Sequence, residues 1–179
     1  MKKKKPILIV AGEPFSIFSE VLFKAFKKYK IKNPLIIIGS YKLFLNQMKY
    51  LKYKIPLNNI EEKFNIKDLK IDRLNIIDVK LNFSKPFQKI SNISNSYNEK
   101  SFKLALKLLK KNTFTGLING PISKRHFLKK KFFGITEYLA KKTNTQKFAM
   151  LIHNQKLSVS PITTHVPLKK VSKLVSKEK

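Results

Sequence analysis

Ile7-Leu8-Ile9-Val10-Ala11-Gly12-Glu13-Pro14 is the stretch on which the fold turns. Its apolar residues run without alternation, which predicts a strand buried on both faces, as in parallel sheets. Gly12-Glu13-Pro14 ends the run. Ser16 or Ser19 then caps a helix, with Val21, Leu22, Ala25 and Phe26 on one face and Lys24, Lys27 and Lys28 opposite. Pro34-Leu35-Ile36-Ile37-Ile38-Gly39 repeats the buried-strand pattern, and Ser40 opens a second amphipathic helix through about Leu51. The chain thus begins β-α-β-α, which predicts an α/β fold with parallel strands.

Downstream, Asn75 to Val79 reads as a strand, and Leu69 to Ile71 is a weaker candidate for another. Asn82 to Asn98 is polar and reads as a loop. A helix follows from about Tyr97 to Lys111, with Phe102, Ala105, Leu106 and Leu109 on its apolar face. Thr115 to Asn119 is a strand ending in Gly120-Pro121, and Ser123 caps a short helix over His126 to Lys130. Gly134 marks a turn into a helix over Thr136 to Lys142, with Tyr138 and Leu139 buried. Phe148 to Ile152 and Leu157 to Ile162 read as two strands joined by a hairpin-length connection. Thr163-Thr164-His165 closes the second, and Val166-Pro167 opens a last helix.

The chain has 179 residues and a formal charge of +29, from 39 basic against 10 acidic residues, and every basic residue except Arg73 and Arg125 is lysine. An apolar fraction of 42% argues against a disordered tail. The lack of cysteine rules out a disulfide framework, a thiol nucleophile and a Cys-ligated metal. The basic start before Ile7 is not a signal peptide, because the apolar run is short and Glu13-Pro14 breaks it. No stretch approaches the roughly 18 apolar residues of a spanning helix. A cytoplasmic protein without membrane contact is the expectation. Lysine is spread along the whole chain, and arginine, which suits bidentate phosphate and guanine contacts, is nearly absent. Coding bias toward Lys, Asn, Ile and Phe explains the charge better than a nucleic-acid face does. The excess charge still favours anionic small molecules.

Three groups of residues could carry chemistry. His165 ends a predicted strand, at the rim where open α/β sheets bind ligands, and by spacing it serves equally as ligand or as loop histidine. One histidine does not make a metal site, because a catalytic metal takes about three protein ligands. His126 reads as a half-exposed helix residue and His153 as part of a hairpin turn. Gly120-Pro121-Ile122-Ser123-Lys124 is a strand-to-helix turn that suits either an anion or a plain helix cap. Gly134-Ile135-Thr136-Glu137 has the same two readings, with Thr136 as cap or as holder of a phosphate oxygen. The P-loop glycines, the GxGxxG fingerprint after the first strand and a serine-nucleophile elbow are all absent.

In order, GEP, PLIIIGS, LINGPISK, GITEYLA and SVSPITTHVPLKKV resemble the N-terminal half of the 4-hydroxythreonine-4-phosphate dehydrogenase family of vitamin B6 biosynthesis. TTHVPL, with GITEYLA upstream, is the specific part. The resemblance implies an isocitrate/isopropylmalate dehydrogenase-like two-domain α/β fold, incomplete here at the C-terminus, with residues 1–119 in the first domain and 120–179 opening a truncated second. It implies a homodimer that oxidises 4-phosphooxy-L-threonine with NAD and a divalent metal (Zn, Mg or Co), followed by loss of carbon dioxide. Carried over by position, His165 matches the first of three metal-binding histidines. Thr136 matches the threonine of a substrate-binding His-Thr pair, whose histidine is Ile135 here. Lys124 matches the lysine of a P-x-[NS]-K turn. The family's early A-G-I-G reads Phe15-Ser16-Ile17-Phe18, which is bulkier. The remaining metal ligands and the NAD site would follow Lys179. Against this stand two other readings: a non-catalytic module for anions or RNA, and a truncated remnant of the family.

Overall fold

The computed structural model describes residues 5–129 and 131–175. The basic start before Lys5, Lys130 of the predicted short helix, and the chain end lie outside them. The elements are β1 (Ile7–Val10), α1 (Phe18–Lys28), β2 (Leu35–Gly39), α2 (Tyr41–Tyr50), β3 (Leu57–Ile60), β4 (Leu74–Asp78), α3 (Ile93–Leu109) and β5 (Gly116–Asn119). They continue with α4 (Ile135–Thr143), β6 (Ile152–His153), β7 (Ser158–Val159) and α5 (Leu168–Leu174). The chain divides into two compact units between Phe127 and Leu128. The sequence reading put its domain boundary at 119/120. The turn after β5, with Ser123 and His126, goes with the first unit.

Unit 1 is one parallel sheet in the order β3-β4-β2-β1-β5. Leu8, Val10, Ile36, Ile37, Ile38, Leu74 and Ile76 are fully buried, which explains why β1 and β2 read as unbroken apolar runs; β4, Leu74-Asn75-Ile76-Ile77-Asp78, also buries the amide of Asn75. Phe23 of α1 and Phe44 of α2 pack edge to face, 6.1 Å between centroids, and share a core cluster with Ile9, Ile37 and Ile76. Ser40 caps α2, its Oγ accepting from Leu43 N–H. β1 lies between β2 and β5, so the chain leaves β1 toward one side and returns later on the other. The crevice at this switch is where α/β sheets of this kind take ligands.

The backbone closes tightly there. Glu13 N–H donates to Pro121 O at 2.7 Å and Gly120 N–H to Val10 O at 2.7 Å. Gly12 has φ +73°, and a Cβ on it would sit 2.2 Å from Pro121 O. Glycine is required on both counts.

Several expectations need correction. β3, Leu57-Asn58-Asn59-Ile60, was not foreseen: it carries two asparagines, and Asn58 instead donates through Nδ2 to Asn75 Oδ1 at 2.8 Å. The strand candidate Leu69 to Ile71 does not form, although Leu69 is buried. α3 starts at Ile93, because the polar Ser94, Asn98 and Ser101 form its buried face rather than loop. Val21, read on one face with the buried Leu22, is 54% exposed. In unit 2 the two predicted strands shrink to two residues each, Ile152 pairing with Val159 and His153 with Ser158. Thr163-Thr164-His165 therefore does not close a strand: β7 ends at Val159. Leu139 is only half-buried. No helix among the described residues is long and apolar enough to cross a membrane.

Candidate functional site

Unit 2 holds three of the predicted residues. Gly134, with extended backbone, precedes the first turn of α4, so Ile135 and Thr136 are its first two residues. Thr136 is not the cap, since Gly134 holds that position. Thr136 lines a cavity of about 500 Å³ with Glu137, Lys147, Phe148, Ser160 and Thr164. This volume suits a small ligand. His165 follows Thr164 directly. It is exposed, has φ +57°, and stacks on Phe133 at 5.6 Å between centroids and 19° between planes. Phe133 in turn precedes Gly134. The imidazole and the Gly134–Thr136 turn are thus tied together within one unit, although they are 30 residues apart in sequence. His153 faces Ser158 across the hairpin, with Nδ1 2.8 Å from Oγ.

Lys124 belongs to unit 1 and is exposed. It begins a single wide helical turn, Lys124–Leu128, whose start is held by Ser123 Oγ accepting from His126 N–H at 3.2 Å. His126 Nδ1 lies 3.1 Å from Asn92 Oδ1, which also accepts from Asn95 Nδ2. A larger groove of about 710 Å³ lies between α2 and residues 53–56. Leu45, Met48, Tyr53 and Ile55 line it, and it holds none of the predicted residues. Size alone therefore does not mark the site.

Two implied groups can be tested against these residues. His165 offers one imidazole, and among the described residues no three His, Cys, Asp or Glu side chains gather as a metal centre would need. The described residues do not by themselves fit a catalytic metal. The exit of β1 holds one glycine, Gly12, followed by Glu13, Pro14 and the buried Phe15, so it gives no glycine-rich cradle for a dinucleotide.

Sequence reasoning missed Glu13, Ser94 and Asn98. All three are buried, and Ser94 Oγ donates to Glu13 Oε1 at 2.6 Å across 81 residues of sequence. The available signal was the Ser94, Asn98, Ser101 spacing on one helical face. Tyr97, on the same helix, accepts from Ser40 N–H at 3.1 Å. Burial pushes its phenol well above the ordinary tyrosine range, and the Ser40 bond opposes that only in part.

Unit 1 is a parallel α/β sheet, and unit 2 by itself gathers hydroxyls and one imidazole. The family model described as "Pyridoxal phosphate biosynthetic protein PdxA" matches residues 30–179, and the chain belongs to that family. It is 31% identical to the 4-hydroxythreonine-4-phosphate dehydrogenase of Sulfurihydrogenibium sp. strain YO3AOP1, over 97% of this chain and 53% of that one. It is 30% identical to the Aquifex aeolicus enzyme of the same name, over 97% and 54%. A relative from Oceanobacillus iheyensis, provisionally named a D-threonate 4-phosphate dehydrogenase, is 25% identical over 98% and 55%. A crystal structure of 4-hydroxythreonine-4-phosphate dehydrogenase from Klebsiella pneumoniae superposes with a TM-score of 0.78 at 22% identity, over 95% of this chain and 54% of that one. The chain spans about half the length of the curated relatives it matches. All of these relatives are named as dehydrogenases, that is, oxidoreductases, and the family model is described as one of pyridoxal phosphate biosynthesis.

Proposed function

We propose that this chain carries the N-terminal share of an enzyme that oxidises and decarboxylates 4-phosphooxy-L-threonine with NAD and a divalent metal (Zn, Mg or Co). The observation that carries the reading is the cavity in unit 2, where Thr136 and Thr164 share one wall system and His165 adjoins it. Thr136 orients a polar group of the substrate through its hydroxyl, and fixing such a group lowers the cost of reaching the reactive geometry. Lys124, in unit 1, adds to a basic surface that raises the rate of encounter with anions such as a phosphorylated substrate. His165 contributes one donor of the metal's set, with the other donors coming from outside the described residues. Ile135 removes the polar contact that a histidine makes there in the family. The two-domain isocitrate/isopropylmalate dehydrogenase-like fold, the homodimer and the cytoplasmic location belong to the same proposal. Nucleic acid is not a partner in it.

The test measures NADH absorbance with 4-phosphooxy-L-threonine. It uses the 179-residue chain alone and the chain joined to the remaining half of the Sulfurihydrogenibium relative. Turnover is expected only in the joined protein, and His165→Asn abolishes it while His153→Ala does not. A folded, metal-loaded joined protein that makes no NADH would overturn the assignment. Running D-threonate 4-phosphate in parallel reads the effect of Ile135: a preference for that compound keeps the family chemistry and changes the substrate.

A further inference from the structure

The cavity in unit 2 is lined by one carboxylate and one ammonium, Glu137 and Lys147, beside the hydroxyls of Thr136, Ser160 and Thr164. The two charges do not pair with each other. The ion pairs among the described residues join Lys24 to Glu20, Arg73 to Asp72 and Lys107 to Glu62. A space lined by both signs, with the two held apart, suits a small ligand that itself carries both.

Glu137 also passes over the partner that helix geometry offers it. Lys141 stands four residues on, at the spacing that favours an ion pair along a helix face. At that same spacing Glu20 and Lys24 of α1 meet at 2.6 Å. Glu137 instead turns back over the start of α4: a Cβ on Gly134 would lie 3.1 Å from Glu137 Oε2. Glycine at 134 leaves room for the carboxylate, and the positive end of the helix attracts negative charge there. Glu137 is half-buried, so its charge is less screened by salt than that of a fully exposed carboxylate.

The sign of this group bears on the substrate. 4-Phosphooxy-L-threonine and D-threonate 4-phosphate share a four-carbon acid and a phosphate, and they differ in the group on the carbon next to the carboxylate. The first carries an ammonium there, the second a hydroxyl. A carboxylate takes the ammonium in a hydrogen bond charged on both sides, roughly twice as strong as a neutral one. From the hydroxyl it gains a bond with a neutral donor only. Lys147 meets carboxylate or phosphate, which both compounds have, and so does not tell them apart.

We propose that Glu137 holds the ammonium group of the substrate and thereby selects the phosphorylated amino acid over the phosphorylated hydroxy acid; the choice of these two compounds rests on the dehydrogenase reading above. Titration of the 179-residue chain with each compound at neutral pH, followed by amide NMR shifts, tests it. The expected result is that 4-phosphooxy-L-threonine binds about tenfold tighter, with shifts at Thr136 and Glu137. Glu137→Gln keeps a side chain suited to the first turn of a helix, and it should remove the preference by weakening the amino compound alone. Should that variant not fold, Glu137→Asp, which keeps the charge but draws it back, is read instead and should reduce the preference. Equal affinities in the parent chain, a preference for D-threonate 4-phosphate, no binding of either compound, or a substitution that weakens both alike or neither would overturn the assignment of Glu137. The dehydrogenase reading is decided separately, by NADH formation in the joined protein, so the two can fail independently.

Discussion

Unit 1 and unit 2 are built from the same palette of lysine, isoleucine, leucine and phenylalanine, yet they bury it differently. In unit 1 the three central strands vanish from solvent between helices. In unit 2 only Leu128 and Tyr138 are buried among the described residues. Leu151, Ile152, Leu157, Val159 and Leu168 are exposed, Leu168 at 88%. An isolated two-stranded hairpin is marginal in water, since it has no second layer to cover its apolar face. Apolar runs thus become regular strands only where neighbours exist to pair with and cover them.

The contrast is most easily broken by core substitutions. Ile37→Ala should cost about 2–5 kcal/mol in urea unfolding, because Ile37 is fully buried in the middle of the sheet. Native-state hydrogen exchange should place the amides of β1, β2 and β4 near the global opening free energy, and those of β6 and β7 far below it. Equal protection would mean that both units open as one.

The glycines sharpen it next. Gly12→Ala should lose about 2 kcal/mol, combining left-handed backbone with the approach to Pro121 O. Gly116→Ala, with nothing within 4 Å of a Cβ, should be close to neutral by the same unfolding measurement.

Tyr97 gives a pH signature confined to unit 1. Its folded pKa is raised, so above the unfolded value near pH 10 the unfolded chain releases a proton that the folded chain keeps. Stability should be level near neutrality and then fall as pH rises through about 10, by up to about 1.4 kcal/mol per pH unit from this group. Tyr97→Phe should flatten that limb relative to the parent chain. The smallest effect is expected in the hairpin: Leu157→Ala, at a side chain 67% exposed, should change stability by less than about 0.5 kcal/mol.

The sheet was largely legible because β1 and β2 are continuous apolar runs, Ile76, Ile77 and Val79 mark β4 and its exit, and α1, α2 and α4 begin at readable turns. β3 was hidden because its asparagines earn their place through side-chain bonding to Asn75, which local pattern does not reveal. The start of α3 was hidden because its buried face is polar, and polarity reads as loop. The Gly134–Thr136 turn was found where the sequence put it. His165 was expected at a strand tip, and it instead hangs beyond a two-residue strand, held against Phe133. Glu13 and its partners were invisible because the contact spans most of unit 1.

His165 stands on left-handed backbone, and that governs how its role can be probed. Asparagine accepts this conformation readily, whereas valine or isoleucine resists it. A β-branched replacement would mix loss of the imidazole with a local rearrangement of the chain. Asparagine deletes the ring while leaving the path of the backbone intact, so it isolates the chemistry from the shape.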